Sequence, residues 1–215
     1  MGLESRVIYT SMDVIDGTCD LEKALVKDRR AGTLRLLAAS QKNNKNDVHP
    51  EQMKKLCLEL KLGYDYVLID SPAGIEQGFQ NAAAGADEAL IVTTPEVAAV
   101  RDADRIIGLL QNMNIHHMYL IINRLSPQMV KAGDMMDPAD VIDILSIKLI
   151  GVIPEDPEIV ISTNRGLPLT YNQRSAAGEA YRRIAQRFEG EDIPIPEFRA
   201  ENWFGNIVEK LRKWV

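Results

Sequence analysis

A parallel α/β sheet with helices on both faces is the fold that this sequence predicts, and three observations support it. Four apolar runs recur along the chain, and each has the length of a buried strand. Segments of helical periodicity separate these runs, and proline or serine stands near the start of several of them. Alternation of this kind is typical of a three-layer domain built on a parallel sheet.

The first half of the chain supplies two predicted strands and two predicted helices. Leu34–Ala39 is predicted as a strand, and His49–Leu62 as a helix with Pro50 in its first turn. Tyr66–Ile69 is an uninterrupted apolar run, which is typical of a strand covered on both faces. A helix from about Ile75 to Ala84 follows.

The second half repeats the alternation more regularly. Each predicted strand is a short apolar run, and each predicted helix begins at or beside a proline or serine. The strands are Ala89–Val92, Met118–Ile122 and Lys148–Ile153, and the helices are Pro95–Leu110, Pro138–Leu145, about Pro157–Thr163 and Ser175–Phe188.

Composition excludes several functional classes. The 25 basic and 31 acidic residues give a net charge of −6, which disfavours nucleic-acid binding through a basic face. No apolar run is long enough for a transmembrane helix, and the first residues lack the pattern of a secretory signal. Cys19 and Cys57 cannot form a disulfide framework, so we expect a cytoplasmic protein.

The C-terminal end differs from the rest of the chain. We expect an α/β domain over 1–189, a linker over 190–202 that contains Pro194 and Pro196, and a separate amphipathic helix over 203–215. On a helical projection the apolar residues of this last segment occupy an arc of about 140°, opposite the polar ones. The apolar side comprises Trp203, Phe204, Ile207, Val208, Leu211, Trp214 and Val215, and the basic residues are Lys210, Arg212 and Lys213.

Candidate binding residues follow the predicted strands, because ligands bind beyond the carboxyl ends of an open parallel sheet. The first such segment is Asp70-Ser71-Pro72-Ala73-Gly74. An aspartate there positions Mg²⁺ or its water on a nucleotide phosphate, and Gly74 lets the backbone approach that phosphate. The alternative is that Asp70 caps the helix that begins near Ile75.

Three further segments stand at predicted strand ends. Thr94 and Pro95 have the pattern of a helix cap followed by the first helical residue. The Asn123 amide can match the edge of adenine and the Arg124 guanidinium can stack on its ring, although the dipeptide alone is a weak signal. Pro154-Glu155-Asp156 is a rigid loop, for which a simple turn is the default interpretation.

Several of these motifs together closely resemble septum site-determining ATPases of the ParA/MinD family of deviant-Walker P-loop ATPases. The resemblance spans almost the whole chain. The motifs that carry it are Tyr66–Glu76, Ala86–Glu88, Thr93–Glu96, Val100–Arg105, Asn123-Arg124, Gly133–Met135, Gly151–Asp156 and Ser162–Gly166.

This resemblance implies ATP and Mg²⁺ as ligands, with Asp70 near Mg²⁺ and Ser71–Gly74 in the switch II segment. It places Asn123 and Arg124 at adenine and Pro154, Glu155 and Asp156 along the base-binding loop. It also implies a homodimer, docking of the C-terminal helix on the inner face of the cell membrane, the division inhibitor MinC as a partner, and release by MinE or another topological factor.

The sequence departs from this family at its start. No glycine is followed by lysine, so the P-loop lysines and the switch I aspartate are absent from the 215 residues. We therefore expect an N-terminal βαβ unit of the family to be missing and no intact catalytic residue to be present. The alternatives are a non-enzymatic fragment that binds membrane or a Min partner, and a DNA-partitioning ATPase of the ParA type.

Overall fold

The computed structural model describes residues 6–39 and 48–196. The chain divides into two compact units, 1–87 and 88–215, and each is described by itself below. The predicted helix over 203–215 and the end of the predicted linker, from residue 197 onward, lie outside the described residues.

The first unit consists of short helices and a two-stranded ribbon. Two of its helices pack closely near Gly85, where an added Cβ would lie 2.5 Å from Cys57 Sγ. Burial in this contact raises the pKa of the Cys57 thiol. The elements are α1 (Ser11–Ile15), α2 (Leu21–Ala24), β1 (Val26–Lys27), β2 (Arg35–Leu36), α3 (Pro50–Leu60) and α4 (Gln77–Ala84).

One strand prediction in this unit is confirmed only in part, and another is wrong. Only Arg35–Leu36 of the predicted strand Leu34–Ala39 is paired, and it runs antiparallel to Val26–Lys27. Tyr66–Ile69 forms no β-strand, and Leu68 is 80% exposed. A strand requires a neighbouring backbone that pairs with it, and an apolar run carries no information about that neighbour.

The described residues of the second unit are β3 (Ala89–Thr93), α5 (Val97–Asn112), β4 (Met118–Leu125), α6 (Pro127–Ala132), α7 (Pro138–Leu145), β5 (Lys148–Pro154), α8 (Glu158–Asn164), a 3₁₀ turn (Leu169–Tyr171) and α9 (Ala176–Phe188), with their connections. Among them, the strands form a three-stranded parallel sheet in the order β3-β4-β5. This sheet confirms the predicted fold class. Helices α5 and α7 contact each other, α5 also contacts β3, and α9 contacts β5.

Helices cover both faces of this sheet. On one face Gly151 of β5 lies against Ile184 of α9, and the Tyr119 and Phe188 rings meet edge to face at 5.8 Å. Leu120 and Ile122 of β4 are fully buried on the opposite face, since side chains alternate along a strand. Right-handed crossovers, the rule for parallel strands, would place α5 and α7, which contact each other, together on that second face.

Two boundaries in this unit differ from the prediction in ways that matter for the site. Helix α5 begins at Val97 with Glu96 at its N-cap, so Thr94 is not the cap and Pro95 is not the first helical residue. Pro95 is instead buried before the helix, and its carbonyl accepts a hydrogen bond from the Met136 N–H at 3.1 Å. Strand β4 continues to Leu125, so the Asn123-Arg124 pair lies within the strand end.

Among the described residues, we find no helix with the length and apolar character that crossing a bilayer demands.

Candidate nucleotide-binding site

The segment Asp70–Gly74 forms an exposed loop of the first unit, before helix α4. A Cβ at Gly78 would lie 2.6 Å from Pro72 Cγ, so the glycine in α4 allows the loop to pack against that helix. Gly74 has φ +94°, a conformation that favours glycine. Helix α4 has Glu76 at its N-cap, so the alternative in which Asp70 caps it is wrong.

Within the described part of the chain, Asp70 could bind a metal ion only together with ligands that a nucleotide supplies. The described residues contain no cluster of three or more His, Cys, Asp or Glu side chains that could enclose a metal. Mg²⁺ keeps several waters and is commonly held by one or two carboxylates together with phosphate oxygens. A single exposed carboxylate beside a glycine turn is therefore compatible with Mg²⁺ that arrives on a nucleotide.

The end of strand β4 has an irregular backbone. Its register with β5 shifts between Ile122 and Leu125, and Arg124 between them has φ +56°. The side-chain Oδ1 of Asn123 accepts a hydrogen bond from the Arg124 N–H at 3.0 Å, which holds the turn. A non-glycine residue in the left-handed region is uncommon and is a recognised feature of binding sites.

The end of strand β5 lies directly beside this irregular turn. Leu125 pairs with Pro154, and the Leu125 carbonyl accepts a hydrogen bond from the Glu155 N–H at 2.9 Å. The Arg124 Nη2 lies 3.7 Å from Glu155 Oε1, with both side chains more than half exposed. This ion pair contributes little to stability because solvent screens it, but it keeps the guanidinium near Glu155.

Both carboxylate oxygens of Asp156 accept hydrogen bonds within the protein. Its Oδ1 accepts the Glu158 N–H at 2.9 Å, and its Oδ2 accepts the Ser175 hydroxyl at 2.7 Å and the Ala177 N–H at 3.3 Å. Burial alone would raise the pKa of this carboxyl, but these hydrogen bonds together lower it. Its carboxylate is thus directed at the start of α9.

Ser175 is a residue of this region that sequence reasoning did not assign. It is the N-cap of α9, and its hydroxyl oxygen accepts the Gly178 N–H at 2.9 Å. A serine just before a periodic segment is a known cap signal, so the cap was readable from the sequence. Its bond to Asp156, across 19 residues, was not.

Asn123, Arg124, Pro154, Glu155 and Asp156 thus lie together, and we call this set the β4–β5 edge. Asp70–Gly74 lie in the first unit. The predicted membrane residues Trp203, Phe204, Ile207, Val208, Lys210, Leu211, Arg212, Lys213 and Trp214 lie outside the described residues.

Comparison with known proteins gives consistent results. The family model ParA, described as NUBPL iron-transfer P-loop NTPase, matches residues 45–189. The septum site-determining protein MinD of Synechocystis is 48% identical, over 99% of this chain and 80% of its own length. MinD of Bacillus subtilis is also 48% identical, over 94% of this chain and 76% of its own length.

Solved structures agree with these relatives. The MinC:MinD cell division complex of Aquifex aeolicus superposes with a TM-score of 0.85 at 45% identity, covering 91% of this chain and 79% of that one. MinD of Pyrococcus horikoshii, complexed with Mg-ADP, superposes with a TM-score of 0.73 at 27% identity, covering 85% of this chain and 74% of that one. The chain therefore belongs to the MinD septum site-determining proteins of the ParA family of P-loop NTPases.

Proposed function

We propose that this chain acts in placing the division site, as a nucleotide-dependent membrane-binding protein that recruits a division inhibitor of the MinC type. The observation that carries this proposal is its likeness, over nine-tenths of its length, to a MinD protein solved in complex with MinC. The likeness to a MinD protein solved with Mg-ADP supports an adenine nucleotide as the ligand.

Adenine binding is assigned to the β4–β5 edge. The Asn123 amide presents a donor and an acceptor, which is the pattern that the edge of adenine requires. Its Oδ1 already accepts one hydrogen bond from Arg124, and a carbonyl oxygen has a second lone pair for a base. The planar Arg124 guanidinium, held near Glu155, is suited to stacking on the ring.

The phosphate side is assigned to the Asp70–Gly74 loop. Bound Mg²⁺ would neutralise phosphate charge and polarise the terminal phosphoryl group. Asp70 would orient that ion or its water, and Gly74 would allow a backbone N–H to approach a phosphate oxygen. Pro72, packed on Gly78, would keep the loop against α4 while the ligand binds.

Membrane docking is assigned to the segment 203–215. Its sequence separates apolar from basic residues on a helical projection, the pattern of a helix that lies in the plane of a membrane surface. One helix of this length binds weakly, and pairing two copies of the chain would raise the affinity by effective concentration. We propose a homodimer on the cytoplasmic leaflet, released by MinE or another topological factor.

A binding measurement with one matched variant tests the nucleotide assignment. Asn123→Ala should weaken binding of a fluorescent ATP analogue about tenfold, since one lost base contact is worth about 1.4 kcal/mol. Asn112→Ala, at the exposed end of α5, should bind as the unchanged chain does. Equal affinity of the two variants would contradict the assignment.

A second candidate function is a non-enzymatic module that binds membrane or a Min partner without hydrolysing ATP. The observation that favours it is the absence of a Gly-Lys pair, and so of a lysine-bearing phosphate loop, in the 215 residues. Assays of phosphate release in the presence of MinC and vesicles distinguish the two functions. Turnover above that of an Asp70→Ala variant supports the ATPase, and equal rates support the module.

A further inference from the structure

We propose that Asp156 is a positioning residue, which holds the β5 end of the β4–β5 edge by binding the start of helix α9, and that it does not contact the base. This inference rests on the proposed nucleotide function, and it reassigns one residue that the family resemblance placed on the base-binding loop. The observation behind it is that the Asp156 carboxylate, just after β5, hydrogen-bonds the start of α9 in the same unit.

The hydrogen bonds of the Asp156 carboxylate are made to other groups of the protein. Oδ1 closes a local turn with the Glu158 N–H at 2.9 Å, and Oδ2 reaches Ser175 Oγ at 2.7 Å and the Ala177 N–H at 3.3 Å. Both carboxylate oxygens therefore already accept hydrogen bonds from the protein. A base that used this carboxylate would have to compete with charge-assisted bonds, which are the stronger kind.

The first turn of α9, which Asp156 contacts, is buried and closely packed. Ser175 is 4% exposed and Ala177 is fully buried, and Ser175 Oγ also accepts the Gly178 N–H. A Cβ at Gly178 would lie 2.7 Å from the Leu169 carbonyl oxygen, so this first turn of α9 packs directly on the 3₁₀ turn. The 13-residue helix also directs its positive dipole end at the carboxylate, which strengthens the contact.

The segment that Asp156 holds in place includes residues of the β4–β5 edge. Asp156 follows Glu155 directly, and the Glu155 N–H donates to the Leu125 carbonyl beside Arg124. Pro154 restricts the backbone on the other side. A clamp at Asp156 thus limits the freedom of Glu155 relative to Asn123 and Arg124, and a well-ordered edge binds a base with less loss of conformational entropy.

Amide hydrogen exchange on the whole chain tests the clamp without any nucleotide. Asp156→Ala should raise exchange at Glu158 and Ala177 about tenfold or more, because each N–H loses a charged acceptor, and should also raise exchange at Glu155. Asp137→Ala is the matched control, since Asp137 caps α7 with an equivalent bond to Ala139 N–H at 2.8 Å. Unchanged exchange at these three amides in Asp156→Ala would overturn the proposal.

Nucleotide binding by two variants separates positioning from direct contact. Ser175→Ala leaves the Asp156 carboxylate in place but removes the hydroxyl that it binds on α9. Both Ser175→Ala and Asp156→Ala should therefore weaken binding of the ATP analogue several-fold. Loss of affinity in Asp156→Ala alone would identify a direct base contact and overturn the proposal. If the unchanged chain binds no analogue, the nucleotide function fails, and the exchange result still decides whether the clamp exists.

Discussion

Arg124 of the β4–β5 edge combines an unfavourable backbone conformation with a proposed role in binding. Arg124 occupies φ +56°, where an L side chain is strained and glycine is not. The sequence retains arginine at this position. We interpret this as strain accepted in order to keep a guanidinium beside Asn123 and Glu155.

Two substitutions at this residue separate strain from chemistry. Arg124→Gly should be more stable than Arg124→Ala by about 1 kcal/mol, because only glycine adopts this backbone without strain. Both variants lack the guanidinium, so both should bind the ATP analogue more weakly than the unchanged chain. Urea unfolding gives the difference in the free energy of unfolding, and a more stable alanine variant would contradict the account.

The Asp156 carboxyl should make stability depend on acid pH. Its pKa is lowered in the folded chain, so its contribution is present above the ordinary value of about 3.9 and is lost as pH falls through the folded value. The difference in the free energy of unfolding between the unchanged chain and Asp156→Ala should therefore shrink below about pH 4. A difference that stays constant from pH 7 to pH 3 would contradict this assignment.

Elements of the second unit were largely predictable, as were helices α3 and α4 of the first unit, whereas the strands of the first unit were not. Met118–Ile122 and Pro138–Leu145 are confirmed because a fully buried strand and a Pro-started helix have strong local patterns. Tyr66–Ile69 has the same apolar pattern but is not a β-strand. Whether an apolar run joins a sheet depends on the neighbouring strand, which the local sequence pattern does not describe.

The candidate site was predictable to the same degree. The rule that ligands bind at the carboxyl ends of parallel strands marks the positions of Asn123, Arg124 and Pro154–Asp156, whereas their role at adenine is only what the family resemblance implies. Backbone conformation at Arg124 and the bond from Asp156 to Ser175 depend on the sheet register and on a distant helix. Neither can be derived from neighbouring residues in the sequence.

The packing of β5 against α9 gives a prediction with an internal control. A Cβ at Gly151 would overlap Cγ1 of Ile184, which is 8% exposed and has little room to move. Gly151→Ala should therefore destabilise the chain by about 1–3 kcal/mol. Gly108→Ala in α5 meets nothing within 4 Å and should stabilise it by about 0.5–1 kcal/mol. Equal effects in urea unfolding would contradict this packing.

Arg187, near the end of α9, holds the segment that follows the helix. Arg187 donates from Nη1 to the Ile150 carbonyl at 3.0 Å, from Nε to Ile193 at 2.7 Å and from Nη2 to Pro194 at 2.9 Å. Arg187→Gln should release residues 193–194 and speed cleavage after Glu191 by a glutamate-specific protease. Arg183→Gln, one turn earlier, is the control, and equal cleavage of both variants would contradict the anchor.

At the scale of the whole molecule, charge and sequence pattern favour a membrane partner over nucleic acid. The chain carries −6 overall, whereas Lys210, Arg212 and Lys213 lie together near its end. Each such residue adds about 1 kcal/mol of attraction to an anionic leaflet. In the proposed docking, the apolar residues of 203–215 would supply the remaining affinity by partitioning into the interface.

Sedimentation of the whole chain with anionic vesicles, in ATP and in ADP, tests the central claim most directly. The account predicts more bound chain in ATP than in ADP, and loss of binding in Trp214→Glu. Leu62→Glu is the matched control, because it adds the same charge at an apolar side chain that is 89% exposed. Binding that is equal in both nucleotides, or that persists unchanged in Trp214→Glu, would contradict nucleotide-dependent docking through the C-terminal segment.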